Sequence, residues 1–172
     1  SQSINTLLCQ DGLHAENTDI PGIIAAAREV VQEPLSRLVV IGSGATARST
    51  IVASAALGVE TVTVVARNAT TRATCEALAA RIGLGLSRDD DDAILTTSDT
   101  LIVSTVPAGA SEGLRQRFAH PDGVLLDVVY HPWPSPLVAH WSRESATGRV
   151  VVPGHLMLLH QAVRQFEMMT RE

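Results

Sequence analysis

Leu38-Val39-Val40-Ile41-Gly42-Ser43-Gly44-Ala45-Thr46-Ala47 is the stretch that decides the fold. Its unbroken apolar start reads as a strand buried on both faces, as in a parallel sheet covered by helices. The strand runs into Gly-x-Gly-x-x-Ala, and an alanine-rich helical stretch, Ala45 to Leu57, follows. Thr61 to Val65 supplies a second strand and completes a β-α-β unit. In that context the glycines mark a dinucleotide-binding turn. Gly42 permits the tight turn and Gly44 lets backbone approach a pyrophosphate. Ala47, in place of a third glycine, is small enough for helix to pack on strand. Ser43, Ala45 and Thr46 complete the loop, whose N–H groups at the positive end of the helix face the phosphates. A plain strand-to-helix turn is the bland alternative.

Outward from this unit, strands and helices alternate. Ile4 to Leu8 is strand-like, and Ile23 to Val31 reads as a helix that Pro34 stops. After the second strand come a helix from Thr70 to Ile82, a short third strand at Gly83–Leu86 and a fourth strand at Leu101–Thr105. A helix at Ser111–Phe118, strands at Val124–Val129 and Arg149–Val152, and a terminal helix at His155–Met169 complete the chain. This order predicts an α/β fold: a doubly wound, parallel, six-stranded, Rossmann-like sheet ordered 3-2-1-4-5-6, with helices on both faces.

The 172 residues suffice for one well-packed domain, and 45% hydrophobic with 18% charged residues is a globular composition. A formal charge of −5 argues against nucleic-acid binding, which needs a basic face. No apolar run has the ~20 residues of a membrane span, and no signal peptide opens the chain. Cys9 and Cys75 lack metal-type spacing and read as reduced thiols of a cytoplasmic protein. No metal site is expected: Asp89-Asp90-Asp91-Asp92 reads as a solvated loop, because adjacent carboxylates repel and offer no fixed geometry. The start Ser1-Gln2-Ser3 reads as a processed product or as part of something longer.

Folds that prefer NAD place an acid about twenty residues beyond the glycine turn, where it bonds the ribose 2′-OH. Here the second strand ends in Val64-Val65-Ala66-Arg67-Asn68, without a carboxylate, and Arg72 follows. Guanidinium groups match phosphate oxygens with paired, charge-assisted bonds. The missing acid and the added bases point to the 2′-phosphate of NADP. Ordinary surface arginines are the alternative.

Several further segments form a pattern in order and spacing. Asn17-Thr18-Asp19 is followed by Gly22, and Ser104-Thr105-Val106-Pro107-Ala108-Gly109 follows the fourth strand. Asp127-Val128-Val129-Tyr130-His131-Pro132 leads to Ser135-Pro136-Leu137. Gly154, Met157-Leu158, Gln161 and Phe166-Glu167 mark the last helix. With the glycine turn, these segments resemble the cofactor-binding half of the shikimate dehydrogenases across nearly the whole chain. Two departures stand out. The family writes Asn-Arg-Thr after the second strand, where this chain has Ala66-Arg67-Asn68, and it has an asparagine where this chain has Ser104.

The resemblance implies reduction of 3-dehydroshikimate to shikimate with NADPH, in aromatic amino-acid biosynthesis, through a Lys–Asp pair at the reacting carbinol. It implies that Asp19 is the catalytic acid of that pair and that Asn5 and Gln161 contact substrate. Gly42 through Ala47, Arg67, Arg72, Thr105, Val106, Pro107, Val128, Tyr130, Gly154 and Met157 would hold the cofactor. The family's lysine lies in a preceding substrate domain, and this chain contains no lysine at all: its thirteen basic residues are arginines. Residues 1–172 are then a single NADP-binding domain, with 1–20 the hinge and edge leading from the missing N-terminal domain. Little or no turnover is expected of it alone. An apolar wall left open by the missing domain is expected to favour a homodimer.

Bland readings stand beside these. On the residues alone Asp19 reads first as a helix N-cap, a reading the Asn-Thr-Asp match reverses. Tyr130 also suits packing at the sheet edge, and Gly154 a turn before a helix. Met157, Leu158 and Phe166 read as core at helical spacing, Trp133 as loop packing, and the six histidines as exposed or locally hydrogen-bonded. Three other functions fit less of the pattern: an NAD-preferring quinate/shikimate dehydrogenase, a stand-alone non-catalytic NADP-binding regulatory module, and a methylenetetrahydrofolate dehydrogenase. A pure sensor has no use for Asp19 and Gln161.

Overall fold

The computed structural model describes residues 3–9, 12–87, 94, 96–118, 121–144 and 150–170, so the acidic run at 89–92 lies outside the described residues. The chain opens with an antiparallel hairpin, β1 (Thr6–Cys9) and β2 (Leu13–Glu16). Then follow α1 (Asp19–Val30), β3 (Arg37–Ile41), α2 (Ala45–Ala55), β4 (Thr61–Val65), α3 (Ala69–Arg81) and β5 (Gly85–Leu86). The second half contains β6 (Thr100–Ser104), a single turn α4 (Ala108–Ser111), a 3-10 helix (Glu112–Arg117) and β7 (Val124–Asp127). It ends with α5 (Pro136–Glu144), β8 (Val151–Pro153) and α6 (Gly154–Thr170).

Six strands form one parallel sheet in the order β5-β4-β3-β6-β7-β8. Numbered along the chain, that is the expected 3-2-1-4-5-6. Leu38 and Val40 of β3 face one core with Val62, Val64, Leu101 and Val103, covered by Ile23 of α1, Ile51 of α2 and Leu78 of α3. Val39 and Ile41 face the other, with Ile102, Leu125, Phe118, Leu137 and Trp141. Because both faces are dry, the strands read as unbroken apolar runs rather than as alternation. The strand order reverses between β3 and β6, so a crevice opens at the carboxyl ends of these strands.

The structure corrects several sequence-based boundaries. The first strand is one arm of a hairpin, whose second arm, Leu13-His14-Ala15-Glu16, is exposed at all four positions and too short for its alternation to signal a strand. Helix α1 starts at Asp19 rather than Ile23: Asn17 Oδ1 accepts the Asp19 N–H (3.0 Å), and Pro21 in the first turn removes only a donor without an intrahelical partner. Strand β7 stops at Asp127 because its carboxylate takes the Val129 N–H (3.1 Å) out of the ladder. The helix expected at Ser111–Phe118 is instead α4 followed by the 3-10 turns. Helix α5 went unforeseen. Leu158 and Phe166 are not core: they are 42% and 60% exposed, because position 158 points 100° away from buried Met157 on the helix. Tyr130 is likewise exposed rather than packed at the edge. Among the described residues, no helix is long and apolar enough to cross a membrane.

Candidate active site

Helix α2 begins without a cap. Gly44 at its N-cap has no side chain to offer and its first turn carries no acid. The first intrahelical bond is Arg48 N–H to Gly44 O (3.2 Å), so the N–H groups of Ala45, Thr46 and Ala47 have no partner within the helix. Helix α3 is the opposite case: Asn68 Oδ1 accepts from Thr70 N (3.0 Å) and Thr71 N (3.1 Å). Of these two, the glycine-turn helix presents the bare positive end, the electrostatics an anion needs. A Cβ built on Gly44 would meet nothing within 4 Å. The space before the turn is therefore open to a ligand, whereas Gly42 is packed against Thr105.

A cleft of about 520 Å³ continues from this turn across the carboxyl ends of β3 and β4. Ile41, Gly42 and Ser43 form its floor. Val65, Ala66, Arg67, Asn68 and Arg72 form one wall, and Val106, Ala110, Leu114 and Arg117 the other. Ser43 Oγ lies 2.7 Å from Thr71 Oγ1, joining the turn to the arginine-bearing wall. Arg72 is shared with Glu76 one turn on, at 3.7 Å. Arg117 escaped the sequence reading. Its Nε is buried and has no hydrogen bond among the described residues. The only signal was its spacing of three from Leu114, which places both on one face of a 3-10 helix. Of the residues singled out in the sequence, Gly42, Ser43, Arg67, Arg72 and Val106 line this cleft. Ala45, Thr46 and Ala47 form the first turn of α2, with Ala47 fully buried against the sheet. Thr105 turns its hydroxyl inward to Ile41 O (2.8 Å), and Pro107 opens α4.

The remaining candidates gather elsewhere, around α1 and α6. Gly154 starts α6 with its Cα against the Asp127 and Val128 backbone. Met157 and Gln161 pack on Gly22 of α1: a Cβ there would lie 3.0 Å from Met157 O and 3.1 Å from Gln161 Cβ. Gly22 is three residues from Asp19, so the two share a helix face. Asn5 Nδ2 donates to Asp19 Oδ1 (2.9 Å). Asn17 takes the capping role, with its own amide donating to Ser3 O (3.0 Å) and Ser49 Oγ (2.9 Å). That leaves the Asp19 carboxylate free of the backbone. Partial burial raises its pKa, and the Asn5 hydrogen bond opposes that rise. Such a carboxyl holds a proton more readily than an exposed aspartate does. Tyr130 lies on the loop after β7 and stands exposed.

Asp127 is the other unusual acid. It is fully buried at the end of β7, where Ser135 Oγ donates to Oδ2 and the Val129 N–H to Oδ1. The buried Ser104 hydroxyl also faces it. Burial raises its pKa, and the three donors oppose the rise. With a raised folded-state pKa, the native chain binds this proton more tightly than the unfolded chain. The resulting stabilisation is complete below about pH 3.9 and is lost as pH rises through the folded pKa. Asp127→Asn, which never ionises, is expected to gain stability relative to the parent chain as pH rises from 4 to 7. Urea unfolding across that range checks this; a constant difference overturns it.

The parallel sheet, its reversal point and the glycine turn on an uncapped helix define a Rossmann-like, NAD(P)-binding domain. No family model matches the chain. Shikimate dehydrogenase (NADP(+)) of Leptospira interrogans is 32% identical across 96% of this chain and 60% of its own length, and that of Methylocella silvestris is 34% identical with the same coverage. The crystal structure of Mycobacterium tuberculosis shikimate dehydrogenase superposes with a TM-score of 0.83 at 38% identity, over 99% of this chain and 62% of that one. The chain is homologous to the shikimate dehydrogenase family, an oxidoreductase family, and spans about 60% of the length of the curated relatives it matches. Quinate dehydrogenase from Corynebacterium glutamicum in complex with NAD, 20% identical with a TM-score of 0.76, shares the fold.

Proposed function

We propose that this chain is the NADP-binding part of a cytoplasmic shikimate dehydrogenase, which reduces 3-dehydroshikimate to shikimate when a substrate domain completes the cleft. The observation that carries the reading is the presence of two arginines, with no acid among the described residues, on the cleft wall after β4. The relatives named NADP-dependent support it. The uncapped first turn of α2 receives the pyrophosphate, and Arg67 and Arg72 receive the 2′-phosphate. Val128, Gly154 and Met157 border the nicotinamide end. NADPH, when bound, supplies the hydride.

The chain's own groups prepare the substrate side. Asn5 holds one oxygen of the Asp19 carboxyl, leaving the other for the substrate hydroxyl. With its pKa raised by burial, Asp19 holds and passes the proton at that oxygen. Gln161, a turn beyond Met157 on α6, adds a second polar contact. The proton-handling lysine has no counterpart among the 172 residues, so the chain alone turns over little or nothing. Exposed Leu7 and Leu13 on the hairpin and Val163, Phe166 and Met169 on α6 supply apolar surface for the substrate domain, or for a second copy in its absence.

Calorimetric titration with NADP and with NAD tests the cofactor. Arg67→Ala is expected to weaken NADP binding by roughly 10- to 100-fold and NAD binding by much less, the loss of one charge-assisted phosphate contact. Equal weakening of both cofactors overturns the 2′-phosphate assignment.

A further inference from the structure

Gln165, in the second half of α6, reaches to both the hairpin and α1. Its Nε2 donates to Thr6 Oγ1 (3.1 Å) and to Thr18 Oγ1 (3.2 Å). Both threonines are buried, at 4% and 1% exposure. Each hydroxyl in turn donates to the same atom, Asn5 Oδ1, at 3.0 Å from Thr6 and 3.1 Å from Thr18. That oxygen also accepts the backbone N–H of Thr18 (2.9 Å), a group able only to donate. This N–H and the two hydroxyls together favour Oδ1 as the inward end of the Asn5 amide. The outward end is Nδ2, and it holds Asp19 Oδ1.

The protons balance in one way. Each threonine hydroxyl has a single proton and uses it on Asn5 Oδ1, so its free lone pairs face Gln165 and call for a donor. The two N–H bonds of one amide nitrogen serve both hydroxyls. An apolar side chain at 165 would leave two buried hydroxyls free to turn, and an acceptor there would draw their protons off Asn5. We propose that Gln165 is a positioning residue: it sets the direction of the Thr6 and Thr18 hydroxyls, and through them keeps the Asn5 amide turned with Nδ2 on the Asp19 carboxylate. Its importance for a reaction rests on the reading of Asp19 above; the coupling itself does not.

The test is an NMR titration of the Asp19 carboxyl carbon in this chain, without cofactor or substrate. The variants are Asn5→Ala, Gln165→Met, Gln165→Ala and the pair Asn5→Ala/Gln165→Met. Methionine keeps the length of glutamine and removes its donors, and alanine gives a second readout should methionine disturb packing. Loss of the Asn5 hydrogen bond releases the rise that burial causes. Asn5→Ala is therefore expected to raise the Asp19 midpoint by about 0.5 pH units or more, with Gln165→Met moving it most of the way. The double variant is expected to match Asn5→Ala alone, since both act along one path. A Gln165→Met midpoint equal to the parent's, with the Asn5 side-chain amide resonances unmoved, overturns the proposal and leaves Gln165 a tether between α6 and the hairpin. Failure of the dehydrogenase reading appears separately, as absent NADP binding with this coupling intact.

Discussion

Gly154→Ala is expected to lower the stability of the chain by about 3 kcal/mol or more, the cost of forcing a methyl group into a filled site. The added Cβ would lie 2.5 Å from Asp127 O and 2.7 Å from both Val128 C and Val128 O. All three are backbone atoms, so no side chain can swing aside. Relief requires the start of α6 to move away from the end of β7. Met157 and Gln161 ride on α6, and Gly22 of α1 packs against them, so the displacement reaches the helix that carries Asp19. For a chain of this size the loss corresponds to a drop of roughly 6–12 °C in thermal midpoint. Thermal unfolding followed by circular dichroism checks it, and a drop of only a degree or two shows that the helix and strand are not locked together here.

Gly42→Ala is expected to weaken dinucleotide binding by roughly 100-fold and stability by about 2 kcal/mol. Gly42 has φ +111°, which a residue with a Cβ resists, and its Cβ would lie 2.3 Å from Thr105 Oγ1. That hydroxyl is not idle, since it donates to Ile41 O. Turning it away removes one of the two bonds Thr105 makes to Ile41 O at the end of β3, and moving the backbone instead re-aims the first N–H groups of α2. Gly44→Ala separates the two effects. Its Cβ enters open space, so stability is expected to stay near that of the parent chain while binding of NADP falls. Calorimetry with NADP beside thermal unfolding of both variants decides this. If Gly44→Ala binds NADP like the parent, the pyrophosphate does not approach that turn.

The sheet was legible because its information is local. Strands buried on both faces leave unbroken apolar runs such as Leu38–Ile41 and Leu101–Val103, and the glycine turn dates the first of them. What escaped depends on partners far along the chain or on signals that mean two things. Ser135-Pro136 is an N-cap followed by an N1 proline, and Ser135 Oγ does accept the Val138 N–H (3.2 Å). After Pro132 and Pro134, though, another proline reads as more loop, and α5 was lost. Strand β2 exists only through its pairing with β1, because none of its side chains is buried. At the site, Asn5, Asp19 and Gln161 came from family resemblance, since nothing in their spacing brings them together. Gln165 is 159 residues from Thr6 and 147 from Thr18, and no periodicity announces such a bridge. Asn17 and Asp19 both suit a helix start, and only the geometry assigns the cap to Asn17 and frees Asp19.

The buried carboxylate of Asp127 also has a consequence for the segment that leaves β7. One oxygen grips the Val129 N–H and the other the Ser135 hydroxyl, so the side chain clasps both feet of the arch that carries Tyr130. The Ser135 foot is anchored again by the first turn of α5. An arch pinned at both feet has already surrendered most of its end-to-end freedom during folding. A ligand that packed on Tyr130 would meet a span already tied at both feet and forfeit less entropy in ordering it. Part of the ordering cost would then fall on folding rather than on the encounter.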